Sequence, residues 1–168
     1  VLSRRPFPGA EPDPEADVSA TTPIHAIDGW FTTDGDHPAL LGSRCDSCGT
    51  FAFPAESFAC RNPSCASRAF TSVPLSTSGT LWSYTDACYQ PPPPYIPVSD
   101  PHEPFAIAAV HLAAEGLVVL GQVTAGVSVD DLVVGQTMTL VVDTLFSDDE
   151  HDHLVWKWTP GDLTTEAP

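Results

Sequence analysis

From Gly79 to the C-terminus, apolar residues gather in short runs separated by turn residues, and each run reads as a strand. Gly79–Tyr89 is bounded by Gly79 and a proline run, and Phe105–Ala113 follows that run. Glu115-Gly116 then makes a tight turn into Leu117–Thr124, a hairpin signal. Val129–Val133 fits a single helical turn with acids near its start, and Gln136–Ser147 is rich in Val, Thr and Leu. His153–Trp158 places Leu154, Trp156 and Trp158 on one face, with Val155 and Lys157 on the other. Five antiparallel strands within about 80 residues, with one helical turn between the third and fourth, predict a small Greek-key barrel of OB type.

The region before Gly79 is patterned differently. Residues 1–23 are rich in Pro, Ala, Asp and Glu with almost no large apolar side chains, and read as a flexible acidic linker. A start at Val1 fits a preceding domain, a processed start being the plainer reading. Residues 24–40 carry Trp30, Phe31, Leu40 and Leu41 without a sustained helical period. They are expected to be an extended or short helical arm that packs its aromatics onto the cysteine-bearing module next to it. That module, residues 41–73, holds four cysteines, Cys45 and Cys48 as C-x2-C and Cys60 and Cys65 as C-x4-C, with eleven residues between the pairs. Thiolates at this spacing close a tetrahedral shell around one Zn2+, each pair on a tight knuckle. Gly49 suits the sharp turn under a metal, and Asn62-Pro63 suits the wider second loop. Four protein sulfurs leave no open position, so the ion is read as structural; iron in a rubredoxin-like site is the alternative for the same ligands. Residues 74–168 are then the barrel, with a proline-rich loop at 90–104 and a C-terminal tail.

Composition narrows the function. The chain has 168 residues, 42% of them hydrophobic, enough for a metal module plus a barrel. No apolar run approaches the ~20 residues of a membrane helix, and VLSRRPFPGAEP is no secretory signal. Cysteines grouped as C-x2-C favour a reducing compartment, and the cytoplasm is expected. Net charge is −16, with −5 on residues 1–40, +1 on 41–73 and −12 on 74–168. Such acidity argues against nucleic acid, whose phosphates are met by Lys and Arg. Three of the six basic side chains, Arg44, Arg61 and Arg68, sit in the cysteine module, which makes it the place for an anion to dock.

Other groups are weaker candidates. Between Tyr89 and Pro104, seven prolines in sixteen residues make a stiff arm displaying Tyr89, Tyr95 and Ile96. It reads either as a contact surface, since a stiff segment loses little entropy on docking, or as a crossover capping the barrel. Cys88, the unpaired cysteine, is expected to be a buried or half-buried thiol at a strand end. His111 is expected to be a core or rim histidine, and His25, His37 and His102 surface residues. His151 and His153, in SDDEHDH, are placed at a solvated hairpin tip.

The pieces ALLGSRCDSCGTFAFP, the Cys60/Cys65 pair, GTLWSYT, PPPPY, PFAIAAVHL, LVVLGQV and VDDLVVGQTMTLVV occur here in order over roughly residues 39–146. Together they resemble the acyl-CoA-associated family that joins a rubredoxin-like zinc ribbon to an OB-fold, long called a domain of unknown function. The C-x4-C knuckle departs from the family's usual C-x2-C, and residues 24–40 lack the helix pair of many members. The resemblance implies an accessory, non-catalytic role beside a thiolase-fold enzyme acting on acyl-CoA thioesters, within a heteromeric complex expected to be a heterotetramer. The segment DGWFTTDGDHPALLGSRC further resembles the C-terminal part of the large hydratase subunit of bacterial steroid side-chain degradation. In that protein a hydratase domain precedes the ribbon and barrel, and the partner is a lipid-transfer-protein-like aldolase. The implied reaction is a carbon–carbon lyase step, a retro-aldol cleavage releasing propionyl-CoA and a 17-keto steroid. Arg44, Arg61 and Arg68 would then meet CoA phosphates. The alternative class is a zinc-ribbon/OB-fold nucleic-acid-binding module. A self-sufficient hydrolase or redox enzyme built on Cys88 and a histidine lacks a nucleophile elbow, phosphate loop or dinucleotide fingerprint.

Overall fold

The computed structural model describes residues 21–33, 37–93, 95 and 97–161. The expected linker at 1–23 lies outside these residues except for its last three, and most of the C-terminal tail lies outside as well. Nine strands are described, with one short 3-10 turn. They are β1 (Thr22–His25), β2 (Leu41–Cys45), β3 (Phe51–Ala52), β4 (Phe70–Pro74), β5 (Ser78–Asp86), β6 (Ala106–Leu112), β7 (Leu117–Val123), β8 (Thr137–Ser147) and β9 (His151–Pro160).

Strands β5 to β9 form a closed barrel. The order runs β9-β7-β6-β5-β8, and β8 pairs back onto β9 along nearly its whole length. β7 and β9 run parallel, whereas the other barrel pairs are antiparallel. Closure leaves few free edges within the barrel. The inner face is a period-two series from each strand: Leu81 from β5; Ala106, Ala108, Val110 and Leu112 from β6; Val119 and Val123 from β7; Met138 and Leu140 from β8; and Trp158 from β9. The interior is filled by matching large to small. A Cβ on Gly121 would stand 2.8 Å from Trp158 Cδ1 and 3.0 Å from Trp156 Nε1, so β7 needs a glycine where the two indoles pass. Between β7 and β8, Val129–Asp131 makes the expected helical turn as a 3-10 turn, held by a capping box in which Ser128 Oγ and N both donate to Asp131 Oδ2 at 2.9 Å.

β2, β3 and β4 form a separate three-stranded antiparallel sheet that carries the cysteines. Two devices join it to the barrel. Leu75, buried just past β4, donates its amide to Leu40 O at 2.9 Å, and Ser76 donates from both N and Oγ to Glu115 Oε1 at the β6–β7 turn. The second device is aromatic. Trp30 and Phe31 pack against Trp156 of β9, and Phe53, following β3, reaches both Trp30 (5.6 Å between centroids) and Trp156 (5.7 Å). The arm at 24–40 therefore fills the joint between ribbon and barrel, touching both rather than the ribbon alone. It is extended: β1 pairs in parallel with the start of β9, and Phe31 bridges Leu40.

Two expectations need correction. β5 ends at Asp86 rather than Tyr89, so Cys88 lies beyond the strand and is exposed, not buried. β9 is longer than His153–Trp158 and starts at His151, so both histidines belong to the strand and only Asp148–Glu150 form the tip. Lys157 is buried, and its Nζ donates to Asp143 Oδ2 at 2.7 Å and Thr144 O at 2.9 Å. His111 is half-buried on the outer face of β6, and His25 is half-buried against Phe31, 4.4 Å between ring centroids.

Candidate metal centre

The ribbon brings all four predicted cysteines together. Their sulfurs lie within 4.8 Å of one another, with Cys45–Cys65 at 3.8 Å and Cys48–Cys60 at 3.5 Å. A tetrahedron with Zn–S bonds of about 2.3 Å has edges of about 3.8 Å. The sulfurs are thus set for a four-coordinate ion, and the donor set, four thiols with no carboxylate or histidine, suits Zn2+. A shell completed by protein sulfur holds no water or substrate, which makes the ion structural.

Each knuckle has a local cause. In the first, Gly49 takes φ +74° and its amide donates to Cys45 O at 2.9 Å, turning the chain so that Cys45 and Cys48 face one point. Thr50 Oγ1 lies 3.2 Å from Cys48 Sγ, and hydrogen bonds from its hydroxyl and amide draw that thiol down to about 6. In the wider second knuckle, Asn62 Oδ1 accepts from Ser64 N at 3.0 Å, and Asn62 O accepts from Cys65 N at 2.9 Å. This side-chain-supported turn absorbs the two extra residues of C-x4-C and returns Cys65 to the site. At Cys60 the Asn62 amide favours the thiolate, but burial and the neighbouring sulfurs outweigh it and push the thiol up to about 12. Four thiolates this close repel one another unless a cation sits among them.

The three arginines are all exposed on this module, each with a neighbour of its own. Arg44, on β2, lies over the Phe51 ring (5.7 Å), Arg68 lies over Phe58 (5.1 Å), and Arg61 Nε is 3.5 Å from Glu56 Oε2. Glu56 was not singled out from sequence, yet it organises the loop between the knuckles. Its Oε1 accepts from the amides of Phe58 and Ser57 at 3.0 Å, which holds its carboxyl below the usual range.

Away from the metal centre, a cavity of about 460 Å³ lies between the proline-rich arm and the barrel rim. Tyr95, Val98, His102 and Phe105 line it from the arm side, and Asp143 and Lys157 from the rim. His102 Nε2 donates to Ala87 O at 2.9 Å and closes the base of the arm, a role its loop position did not reveal. Ile96, one of the three displayed arm residues, lies outside the described residues, whereas Tyr89 is exposed and Tyr95 half-buried. Cys88 is no activated nucleophile: Asp86 beside it, hydrogen-bonding and negatively charged, pushes the thiol up. Among the described residues, no helix is long and apolar enough to cross a membrane.

Comparison with known proteins agrees with this architecture. Residues 32–71 match the family model for the rubredoxin-like zinc ribbon domain of ChsH2, and residues 72–143 match that for the ChsH2 C-terminal OB-fold domain. Over 53 residues the chain is 47% identical to the benzoylsuccinyl-CoA thiolase subunit BbsA of Thauera aromatica, covering 32% of this chain and 35% of that protein. It thus spans about a third of the length of this curated relative. Among solved structures it is similar to the Ltp2-ChsH2(DUF35) aldolase, with 26% identity and a TM-score of 0.54 over 73% of this chain and 84% of that one. The two adjacent family matches meet within β4, the last strand of the ribbon sheet, and cover residues 32–143, and the chain belongs to the ChsH2-like family of zinc-ribbon and OB-fold proteins.

Proposed function

We propose that this chain is a non-catalytic, zinc-bound accessory subunit of a thiolase-fold enzyme acting on acyl-CoA thioesters, and that the complex is a steroid side-chain retro-aldolase. The observation that carries this reading is the likeness of ribbon plus barrel to a chain of a two-component aldolase. The chemistry of the described residues is consistent with it. The metal shell is filled by sulfur, Cys88 is held in its thiol form, and the cationic Lys157 is engaged by Asp143 and Thr144. In the retro-aldol step the partner removes the proton of the tertiary C17 hydroxyl. The bond from C17 to the side chain breaks, C17 becomes a ketone, and the leaving enolate takes up a proton to become propionyl-CoA. Zn2+ at Cys45, Cys48, Cys60 and Cys65 holds the ribbon in shape.

Two finer assignments belong to this reading. Arg44, Arg61 and Arg68 meet CoA phosphates at the partner interface, aided by the +1 balance of the ribbon in a chain of −16. The proline-rich arm orders against the partner, and the cavity beneath it borders the acyl channel. Arg61→Ala and Arg68→Ala in the complex should raise the KM for the CoA ester severalfold; an unchanged KM removes the phosphate contacts.

The test of the whole reading is reconstitution. The chain is mixed with a thiolase-fold aldolase, and cleavage of a 17-hydroxy steroid CoA ester is followed by release of propionyl-CoA. Activity is expected only with both proteins present. Likeness to a thiolase subunit supports a second reading of the partner, thiolytic rather than aldolytic. Release of an acyl-CoA that depends on added CoA would favour it. Binding of single-stranded DNA at low salt would favour the nucleic-acid alternative, against which the −12 on residues 74–168 argues.

A further inference from the structure

The outer face of β5, β6 and β7 carries a surface that neither the metal centre nor the cavity uses. β5 and β6 change register between Leu81 and Ser83, so Trp82 is the extra residue of a β-bulge. Bulges re-aim side chains, and here the indole is 64% exposed. Across the sheet Ser83 faces Ala109 and Ala109 faces Leu120, which is also 64% exposed. One row away Val118, 45% exposed, faces His111. On the other side of β5, Leu81 pairs with Gly135 and Gln136, which follow the exposed Val134 in the chain. The result is an apolar band crossing the sheet from Trp82 to Leu120, with the buried Ala109 between them and Val118 alongside.

Charge sets this band apart. β6 and β7 contain no Asp, Glu, Lys or Arg, and β5 contains only Asp86 at its end, although residues 74–168 hold thirteen acids. Depletion of charge around an exposed tryptophan is the pattern of an interface centre, and Trp is the residue type most enriched at binding hot spots. The same charge distribution selects the occupant. A second copy would bring another −16 against the first, at spacings comparable with the ~8 Å screening length. A different polypeptide is not bound to repeat that charge. Three strands about 4.8 Å apart and ~7 residues long present roughly 300 Å², against about 800 Å² per partner in a standard interface. The band is therefore the apolar centre of a larger contact.

We infer that the outer face of β5–β7, centred on Trp82 and Leu120, is the docking surface for the thiolase-fold subunit; this rests on the function proposed above. The experiment uses the full chain and a purified thiolase-fold aldolase. Hydroxyl-radical footprinting of the wild-type chain, free and in complex, should show Trp82 protected severalfold on binding. Trp82→Glu and Leu120→Glu should each weaken the complex at least about thirtyfold, the level of a hot-spot residue. Thr139→Glu, on the exposed face of β8, should bind as wild type. Unchanged oxidation of Trp82 in a complex that does form overturns the docking face and leaves the proposed function standing. Variants that keep their zinc and bind as wild type do the same. Dissolution by Trp82→Glu of a homodimer of the isolated chain would assign the face to a second copy and overturn the inference. Failure of the wild-type chain to pair at all would sink the proposed function, and this inference with it.

Discussion

Trp156 is the side chain on which ribbon, arm and barrel converge, and Trp156→Ala tests whether the protein is one cooperative body. The indole is 8% exposed and packs against Trp30, Phe31 and Phe53 with centroids 5.7–6.0 Å apart. Its Nε1 donates to Leu120 O at 3.1 Å. Truncating a buried aromatic to Ala costs about 3–5 kcal/mol. Each aromatic pair accounts for about 0.5–1.5 kcal/mol of that, and the hydrogen bond for about 1 kcal/mol. In a domain of this size the loss lowers Tm by roughly 6–20 °C. Trp156→Phe keeps a ring and loses mainly the hydrogen bond, so it should cost about 1–2 kcal/mol. The assay is guanidinium unfolding followed in parallel by far-UV circular dichroism and by zinc release to a chromophoric chelator. In the wild type the two signals should coincide. In Trp156→Ala they should separate, because Trp30 and Phe53 lose the ring that ties them to β9. A cost below about 1 kcal/mol with coincident signals would refute the joint as described.

Three further outcomes rest on the same geometry. Cys45→Ser should abolish zinc retention, measured by metal analysis of the purified chain, and partner binding should be lost with it; assembly without metal would contradict the structural role. Gly121→Ala should cost about 1–3 kcal/mol, because a Cβ would lie 2.8 Å from Trp158 Cδ1 in a filled interior; a neutral melt would show that the indole can move aside. At the rim, Asp143→Asn should destabilise by about 1–3 kcal/mol by depriving the buried Lys157 of its carboxylate, whereas Lys157→Met should be near neutral. The Lys157 hydrogen bond holds the Asp143 carboxyl below its ordinary value, so its contribution is present above about pH 4 and is lost as pH falls through the folded value. The acid limb of the stability profile should flatten in Lys157→Met.

The cysteines and the barrel strands were legible because their signals are local. Thiols at knuckle spacing and period-two apolar runs do not depend on what packs beside them: the four cysteines converge, and the five barrel strands are present with shifted ends at β5 and β9. What escaped was non-local. β1 is four residues containing a proline, and only its parallel pairing with β9 makes it a strand. Alternation put Lys157 on the face opposite Trp158 but could not show its burial, which a half-exposed carboxylate from β8 makes tolerable. The hydrophobicity of Trp82 and Leu120 does not reveal their direction: a bulge decides the first and sheet register the second, and both face outward. The arginine cluster was visible as composition, but not that Phe51, Phe58 and Glu56 each engage one of the three.

In the proposed function, bonds are made and broken in another polypeptide while this one shapes and completes it. The most direct measurement is single-turnover cleavage of the steroid CoA ester by the zinc-loaded chain alone, by the aldolase alone and by the two together. Product is expected only from the mixture, with the activity tracking formation of the complex. Product from the isolated chain at a comparable rate would contradict it.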